Sequence, residues 1–250
     1  MPSCTAGGVL DFIFARLPRI VTSTVVTVQR AEFDRQWEAV RASQHRLESL
    51  IEPLTDDDAR RPSQLPGWTV GHLLTHLARN AEGLTRIADG AGQGIEAEMY
   101  PSGDYPDGQQ RRDADIEAGA GRCADELHAD IADTARRLDE SISRLTDGQL
   151  HGFGRTRLGR RPIGDVPMLR RREIEVHLVD LGIGYQPADW PDDFVRSELR
   201  TLGMLWDSRR PLGMTGLPAA ALVATPSHRL AWLFGRASID GLDPANVYTA

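Results

Sequence analysis

Apolar side chains recur at three- and four-residue steps along much of this chain, the spacing of helices that bury one face. The first stripe predicts a helix over about 30–54 and consists of Phe33, Trp37, Val40, Leu47, Ile51 and Leu54. Similar stripes predict helices over about 70–88 and 109–145. Further helices are expected over about 163–181, from Pro191 to about 206, and over about 227–235. The pattern is therefore typical of a mainly α protein.

Glycine, proline and polar residues separate these stripes. Residues 89–107 form a long Gly-, Pro- and Asp-rich connection, and long connections in compact domains are often functional. The stretch HGFGRTRLGRRPIGD indicates an irregular or hairpin-like link before the fourth helix. Within the third helix, Gly119 and Gly121 predict a kink, and Cys123 lies on the apolar stripe, where it is expected to be core.

The order of elements predicts three parts. Residues 30–182 are expected to form a four-helix bundle. Residues 183–250 are expected to form a small α+β C-terminal region. Residues 1–29 are mildly apolar but interrupted by charges, so they predict a weakly ordered extension rather than a signal peptide.

Composition excludes several classes of function. The formal net charge of the 250-residue chain is −7, and no long basic block is present, which argues against nucleic acid as a partner. No apolar stretch reaches the ~18 residues of a membrane span. Cys4 and Cys123 are the only cysteines, a pattern that favours a reducing cytoplasm over a disulfide framework.

Two helical pairs carry the candidate chemistry. Glu173 and His177 are four residues apart on the fourth predicted helix, and His72 and His76 have the same spacing on the second. Residues at this spacing share a helix face, and bundle metal sites are built from facing helices. Two histidines and one carboxylate from two helices would suit a zinc site with an open position, or ferrous iron. The alternative is that Glu173 and His177 merely stabilise a solvated helix.

The two histidines of the second helix differ in position. Thr69 is a plausible N-cap, which places His72 in the first turn, where a capping or packing role suits it. His76 lies one turn deeper between Leu73 and Leu77, so it is the preferred ligand, with His72 in reserve.

Two further polar residues are candidates for support of the ligands. Asp180 follows His177 by three residues and could orient its ring; a simple surface pair is the alternative. Asn80 lies one turn beyond His76 and could act similarly or cap a polar seam.

Three long motifs stand out in the chain: GWTVGHLLTHLARNAEG, MYPSGDYPDGQQRRDADIEAGAGR and RRREIEVHLVDLGIGYQPADWPDDFV. Together with LAWLFGRASIDGL near the end, they resemble motifs of the mycothiol-dependent maleylpyruvate isomerases, which belong to the DinB-like metal-dependent four-helix bundles. The resemblance implies that residues 30–182 form a DinB-like metal-binding four-helix bundle. It also implies His76, Glu173 and His177 as metal ligands and Arg236 in binding or turnover.

The same resemblance implies a reaction, the cis–trans isomerisation of maleylpyruvate to fumarylpyruvate in aromatic-compound catabolism. It also implies two cofactors, mycothiol as the thiol and a divalent metal, for which zinc is the first candidate. A dicarboxylate substrate needs cations, for which Arg236 is the first candidate. Arg79, Arg111 and Arg112 are further candidates. For Arg236 the alternative is charge compensation at a helix C-terminus.

Two other functions remain open. One is a mycothiol-dependent S-transferase that conjugates electrophiles for detoxification, and the other is a non-catalytic metal-binding bundle with His72 as a fourth ligand. In each case the partners expected are small molecules, and the protein is expected to be a monomer or small homo-oligomer.

Overall fold

The computed structural model describes residues 19–157, 159–209, 216–245 and 247. Its helices are α1 (Arg19–Ile51), α2 (Asp56–Arg60), α3 (Val70–Gly92), α4 (Gly108–Gly119), α5 (Ala124–Ser143), α6 (Val166–Asp180), α7 (Asp192–Ser208), α8 (Ala219–Val223) and α9 (Pro226–Leu233). Two short strands, β1 (Phe153–Thr156) and β2 (Gly159–Pro162), pair antiparallel. The prediction of a mainly α fold is thus confirmed.

Helix α3 lies at the centre of the bundle. It packs mainly against α5 and also contacts α4 and α6, while α1 covers α6 and α5. The apolar stripe of α3 explains this position, because Leu73, Leu77 and Leu84 are completely buried. Among the described residues, no helix is long and apolar enough to cross a membrane.

The first helix starts earlier than the sequence predicts. It begins at Arg19 instead of about residue 30, so residues 19–29 are the first part of α1. For residues 1–18, the prediction of a weakly ordered extension lies outside the described residues.

The predicted third helix, 109–145, is wrong in one respect, because the chain forms two helices and not one kinked helix. Helix α4 ends at Gly119, which lies so close to α3 that a Cβ there would be 2.6 Å from Thr75 Cγ2. Helix α5 begins after Cys123, whose backbone N–H donates to Glu126 Oε2. Cys123 is therefore a partly exposed helix-cap residue and not the core residue expected.

The two strands lie in the stretch for which the sequence predicts an irregular or hairpin-like link. They form a hairpin in the link before α6, and β1 packs on α3 through Gly154, where a Cβ would be 2.6 Å from Ile87 Cβ. In the described part of 183–250, the regular elements are helices, so the α+β character expected there is not observed in those residues. Helices α7 and α9 pack together, and the ring centres of Trp206 and Trp232 lie 5.3 Å apart.

Candidate metal centre

The start of α3 positions His76. Thr69 caps the helix as predicted, accepting a hydrogen bond from the backbone N–H of His72. One turn further, His76 is 5% exposed, and its ring lies 5.7 Å from the ring of Trp68. The imidazole is thereby fixed between an aromatic wall and the neighbouring helix α6.

Helix α6 carries Glu173 and His177 on the face that is turned to α3. Pro167 lies in its first turn, where the missing N–H has no helical partner to lose. The four-residue spacing places both side chains opposite His76, which is 97 residues before Glu173 in the chain. The metal hypothesis requires that the helix of His76 and the helix of Glu173 meet, and the structure shows that they do.

Three atoms that could bind a metal, one each from His76, Glu173 and His177, converge between α3 and α6, and we call them the donor group. His76 Nε2 lies 2.9 Å from Glu173 Oε2 and 3.1 Å from His177 Nε2, and the remaining pair is 3.6 Å apart. Tetrahedral zinc with bonds of ~2.0–2.1 Å holds its ligand atoms about 3.3 Å apart. These three residues form the group of potential ligands found among the described residues. The donor set and its spacing fit a small divalent ion.

The environment sets the charge of each donor. Burial lowers the pKa of His76 to about 4, so this ring is neutral at pH 7. Burial also opposes ionisation of Glu173, but hydrogen bonds from His177 and His76 hold the pKa of its carboxyl well below the usual value. For His177, burial is outweighed by bonds to Asp180 and Glu173, which raise its pKa. A neutral His76 and an ionised Glu173 are the forms that bind a metal.

Asp180 and Arg236 form a hydrogen-bonded chain behind His177. Asp180 Oδ2 accepts the His177 Nδ1–H at 2.8 Å, which leaves the Nε2 lone pair for the donor group. Arg236 donates from Nε and Nη2 to the two oxygens of Asp180 at 3.0 and 2.8 Å. The fold thus brings together Asp180 and Arg236, both of which the sequence marks as candidates, although one edge of the Arg236 guanidinium is occupied by Asp180.

His72 does not join the donor group. Its Nδ1 accepts the backbone N–H of Thr69 at 3.2 Å, and its Nε2 lies 3.2 Å from Glu117 Oε2. Nδ1 therefore takes part in the capping box, and Nε2 contacts Glu117 at the rim of the pocket. This arrangement agrees with the capping role considered for His72 and gives no support to its use as a fourth ligand.

Asn80 is held away from the donors. Its Oδ1 accepts from Arg170 Nη1 at 3.0 Å, and the same guanidinium nitrogen donates to Leu77 O at 2.8 Å. Burial lowers the pKa of Arg170 to about 10, so it remains a cation behind the site. Asn80 thus anchors a buried arginine and lines the pocket, with no hydrogen bond to His76.

A pocket of about 830 Å³ opens above the donors. Its wall includes Trp68 and Tyr100, for which the sequence predicts no role, and Arg112, one of several candidate arginines. Arg112 Nη2 lies 2.9 Å from His76 Nδ1, and burial raises the pKa of Tyr100 to about 12, so its phenol keeps its proton. The sequence does contain a sign that Arg112 is buried. It lies four residues before the core residue Ile116, and residues at this spacing share a helix face.

A family model matches the part of the chain that contains the three potential ligands. The model described as the mycothiol maleylpyruvate isomerase N-terminal domain matches residues 40–182, which is more than half of the chain. The chain belongs to the mycothiol maleylpyruvate isomerase family. The matched segment contains His76, Glu173 and His177, whereas Arg236 lies beyond it. No curated protein matches the chain.

Solved structures agree with this family assignment at the level of fold. A mycothiol-dependent maleylpyruvate isomerase superposes with a TM-score of 0.71 at 21% identity, covering 82% of this chain and 89% of the other. A histidine-to-alanine mutant of such an isomerase gives 0.70 at 20% identity with the same coverage. The mycothiol maleylpyruvate isomerase fold therefore extends beyond the N-terminal domain into the region that carries α7 and α9.

Proposed function

We propose that this protein catalyses the mycothiol-dependent cis–trans isomerisation of maleylpyruvate to fumarylpyruvate at a divalent ion, zinc, bound by His76, Glu173 and His177. The observation that carries the proposal is the convergence of these three donor atoms at the pocket, in a chain of this family. The names of the superposed structures support the choice of substrate and thiol.

Each side chain of the proposed site would contribute differently to binding the ion. Glu173 supplies the negative charge, and the two imidazoles supply neutral nitrogens. Asp180 keeps the His177 proton on Nδ1, and Arg236 fixes Asp180 in turn. A divalent ion bound here would lower the pKa of a coordinated thiol, so that the thiol is a thiolate at neutral pH.

The thiol performs the covalent step. Its sulfur forms a bond to one alkene carbon, and the π electrons move into the conjugated oxo-acid system. The former double bond is then single and rotates, after which the electrons return and the carbon–sulfur bond breaks. The thiol is regenerated, so neither a redox partner nor a cysteine of this chain is consumed. Cys123, at the start of α5, does not line the pocket.

The pocket wall suits a substrate with two carboxylates. Arg112 and Arg236 lie on it beside the donors, and both are largely buried, with side chains 8% and 12% exposed. Buried guanidinium groups bind carboxylates more strongly than exposed ones because little water screens them. Trp68 and Leu65 add an apolar wall that limits access of water.

The proposal is tested by assaying the zinc-loaded protein on maleylpyruvate with and without mycothiol. We expect fumarylpyruvate only when the thiol is present, and a loss of at least ~100-fold in rate together with loss of bound zinc in Glu173→Gln. Glu38→Gln is the matched control, because Glu38 lies exposed on α1, paired with Arg41. It should retain both zinc and activity.

Other outcomes would contradict the proposal in distinct ways. A stable thiol conjugate as product, with no free thiol returned, would identify an S-transferase. Full activity of Glu173→Gln without zinc would exclude the metal from the reaction.

A further inference from the structure

Arg112 is the arginine that contacts the donor group. Its Nη2 lies 2.9 Å from His76 Nδ1, and its Nη1 donates to Asp113 Oδ1 at 2.8 Å. The other two candidate arginines lie elsewhere: Arg79 pairs with Asp130, and Arg111 is 41% exposed and contacts the Pro101 carbonyl. The structure thus separates three arginines that the sequence could not rank.

The contact between Arg112 and His76 has a chemical consequence. A guanidinium has donors only, so His76 Nδ1 must present its lone pair to Arg112, and the ring proton is then on Nε2. An ion bound at Nε2 needs the lone pair there, and the proton of the neutral ring is then on Nδ1. Two N–H groups, one on Arg112 Nη2 and one on His76 Nδ1, would then face each other across 2.9 Å. Binding of an ion by His76 and its hydrogen bond from Arg112 therefore exclude each other.

We propose that loading of the metal releases Arg112 Nη2 from His76 and that the released guanidinium binds a carboxylate of the substrate. The inference rests on the proposed function for the identity of that ligand, a dicarboxylate. Arg112 thus becomes a substrate-binding residue only in the metal-loaded protein, and the pocket assembles in the order metal, then substrate.

The neighbours of Arg112 favour this role. Arg172 and Arg236, which also line the pocket, each donate from Nε and Nη2 to a buried carboxylate, Glu198 and Asp180 respectively. Arg112 has instead a neutral imidazole, the Tyr100 hydroxyl and the half-exposed Asp113 as acceptors. Its guanidinium carbon lies 5.9 Å from the centre of the Tyr100 ring, which supports it on one side. A carboxylate beside the ion would be a better acceptor than His76.

Calorimetric titration with maleate tests the inference without thiol and without turnover. We expect zinc-loaded wild-type protein to bind maleate and zinc-loaded Arg112→Gln to bind it at least about tenfold more weakly. The matched control is Arg111→Gln, which removes the same charge one residue away and should stay within about twofold of wild type. Arg112→Lys, which keeps the charge but not the planar fork, should lie between.

Zinc affinity distinguishes this role from a structural one. If Arg112 merely oriented His76, Arg112→Gln would bind zinc more weakly than wild type. Our account predicts equal or tighter zinc binding, because a competing hydrogen bond and a nearby positive charge are removed. Circular dichroism of Arg112→Gln and Arg112→Lys checks that both fold.

The possible results separate the inference from the proposed function. Failure of zinc-loaded wild type to bind maleate, an unchanged maleate Kd in Arg112→Gln, or weaker zinc binding in that variant overturns the inference, even if wild type isomerises maleylpyruvate. Arg112-dependent maleate binding by a protein that does not isomerise maleylpyruvate overturns the proposed function and leaves the carboxylate site standing.

Discussion

At the scale of single residues, the site depends on which nitrogen of each imidazole carries a proton. Asp180 fixes this for His177, and Arg112 opposes the metal-binding form for His76. In the proposed metal site the two histidines would therefore contribute differently to binding of the ion, although they look equivalent in the sequence. Spacing put Glu173 and His177 on one helix face, because residues four apart share a face. The position of His76 one turn inside its helix favoured it over His72, and the family resemblance implied the same three ligands. The partners of these residues depend on other elements, so the sequence could name Asp180 but not the role of Arg112.

Zinc affinity should depend on pH through His177. The bonds to Asp180 and Glu173 raise the pKa of His177 above 6.5, so a proton must leave this ring before zinc binds. Zinc affinity of the wild type should consequently rise as pH increases through that pKa and fall below it. Competition with a zinc chelator between about pH 5.5 and 8.5 measures the profile.

The variant Asp180→Asn checks the cause of this pH dependence. It removes one of the bonds that raise the His177 pKa, so the profile should move to lower pH, while the affinity at high pH falls about 10–100-fold. Asp193→Asn, which alters an exposed pair with Arg171, should leave the profile unchanged. A profile that does not move in Asp180→Asn would contradict this assignment.

At the scale of elements, close backbone contacts decide where the helices end. The apolar periodicity correctly located α3 and α7. The sequence also located α6, although this helix is buried on nearly every side rather than along one stripe. The periodicity failed for α4 and α5, whose stripes run on in the sequence across a break between the helices. There a Cβ at Gly71 of α3 would clash with the Ala120 carbonyl oxygen, a contact that no local pattern reveals. The end of α4, a helix whose residues line the pocket, is therefore set by tertiary packing.

The start of α4 offers a test of this packing. A Cβ at Gly108 would clash with the carbonyl oxygen of Tyr100, so Gly108→Ala must displace either α4 or the segment that carries Tyr100. We expect the free energy of unfolding to fall by about 1–3 kcal/mol, measured by urea denaturation of the metal-free protein. Gly121→Ala meets open space and should change it by less than about 0.5 kcal/mol. Equal effects of the two substitutions would refute the packing argument.

At the scale of the whole molecule, distant parts of the chain meet at one side chain. The bundle supplies the three donors and Asp180, and the segment after α9 supplies Arg236, 56 residues further along, which donates to both oxygens of Asp180. The C-terminal region thereby acts on the donor group through two successive hydrogen bonds. Resemblance to the family marked Arg236 as functional, but only the folded chain shows that its partner is an acid of the bundle.

The central claim is that His76, Glu173 and His177 hold an ion to which the thiol binds. Cobalt substitution tests it most directly, since cobalt(II) reports a sulfur ligand by a charge-transfer absorption band. Our account predicts one cobalt ion per chain in wild type, a new sulfur-to-metal band on addition of mycothiol, and no bound cobalt in Glu173→Gln. Wild-type protein that holds cobalt and turns over maleylpyruvate but shows no such band with mycothiol would contradict it.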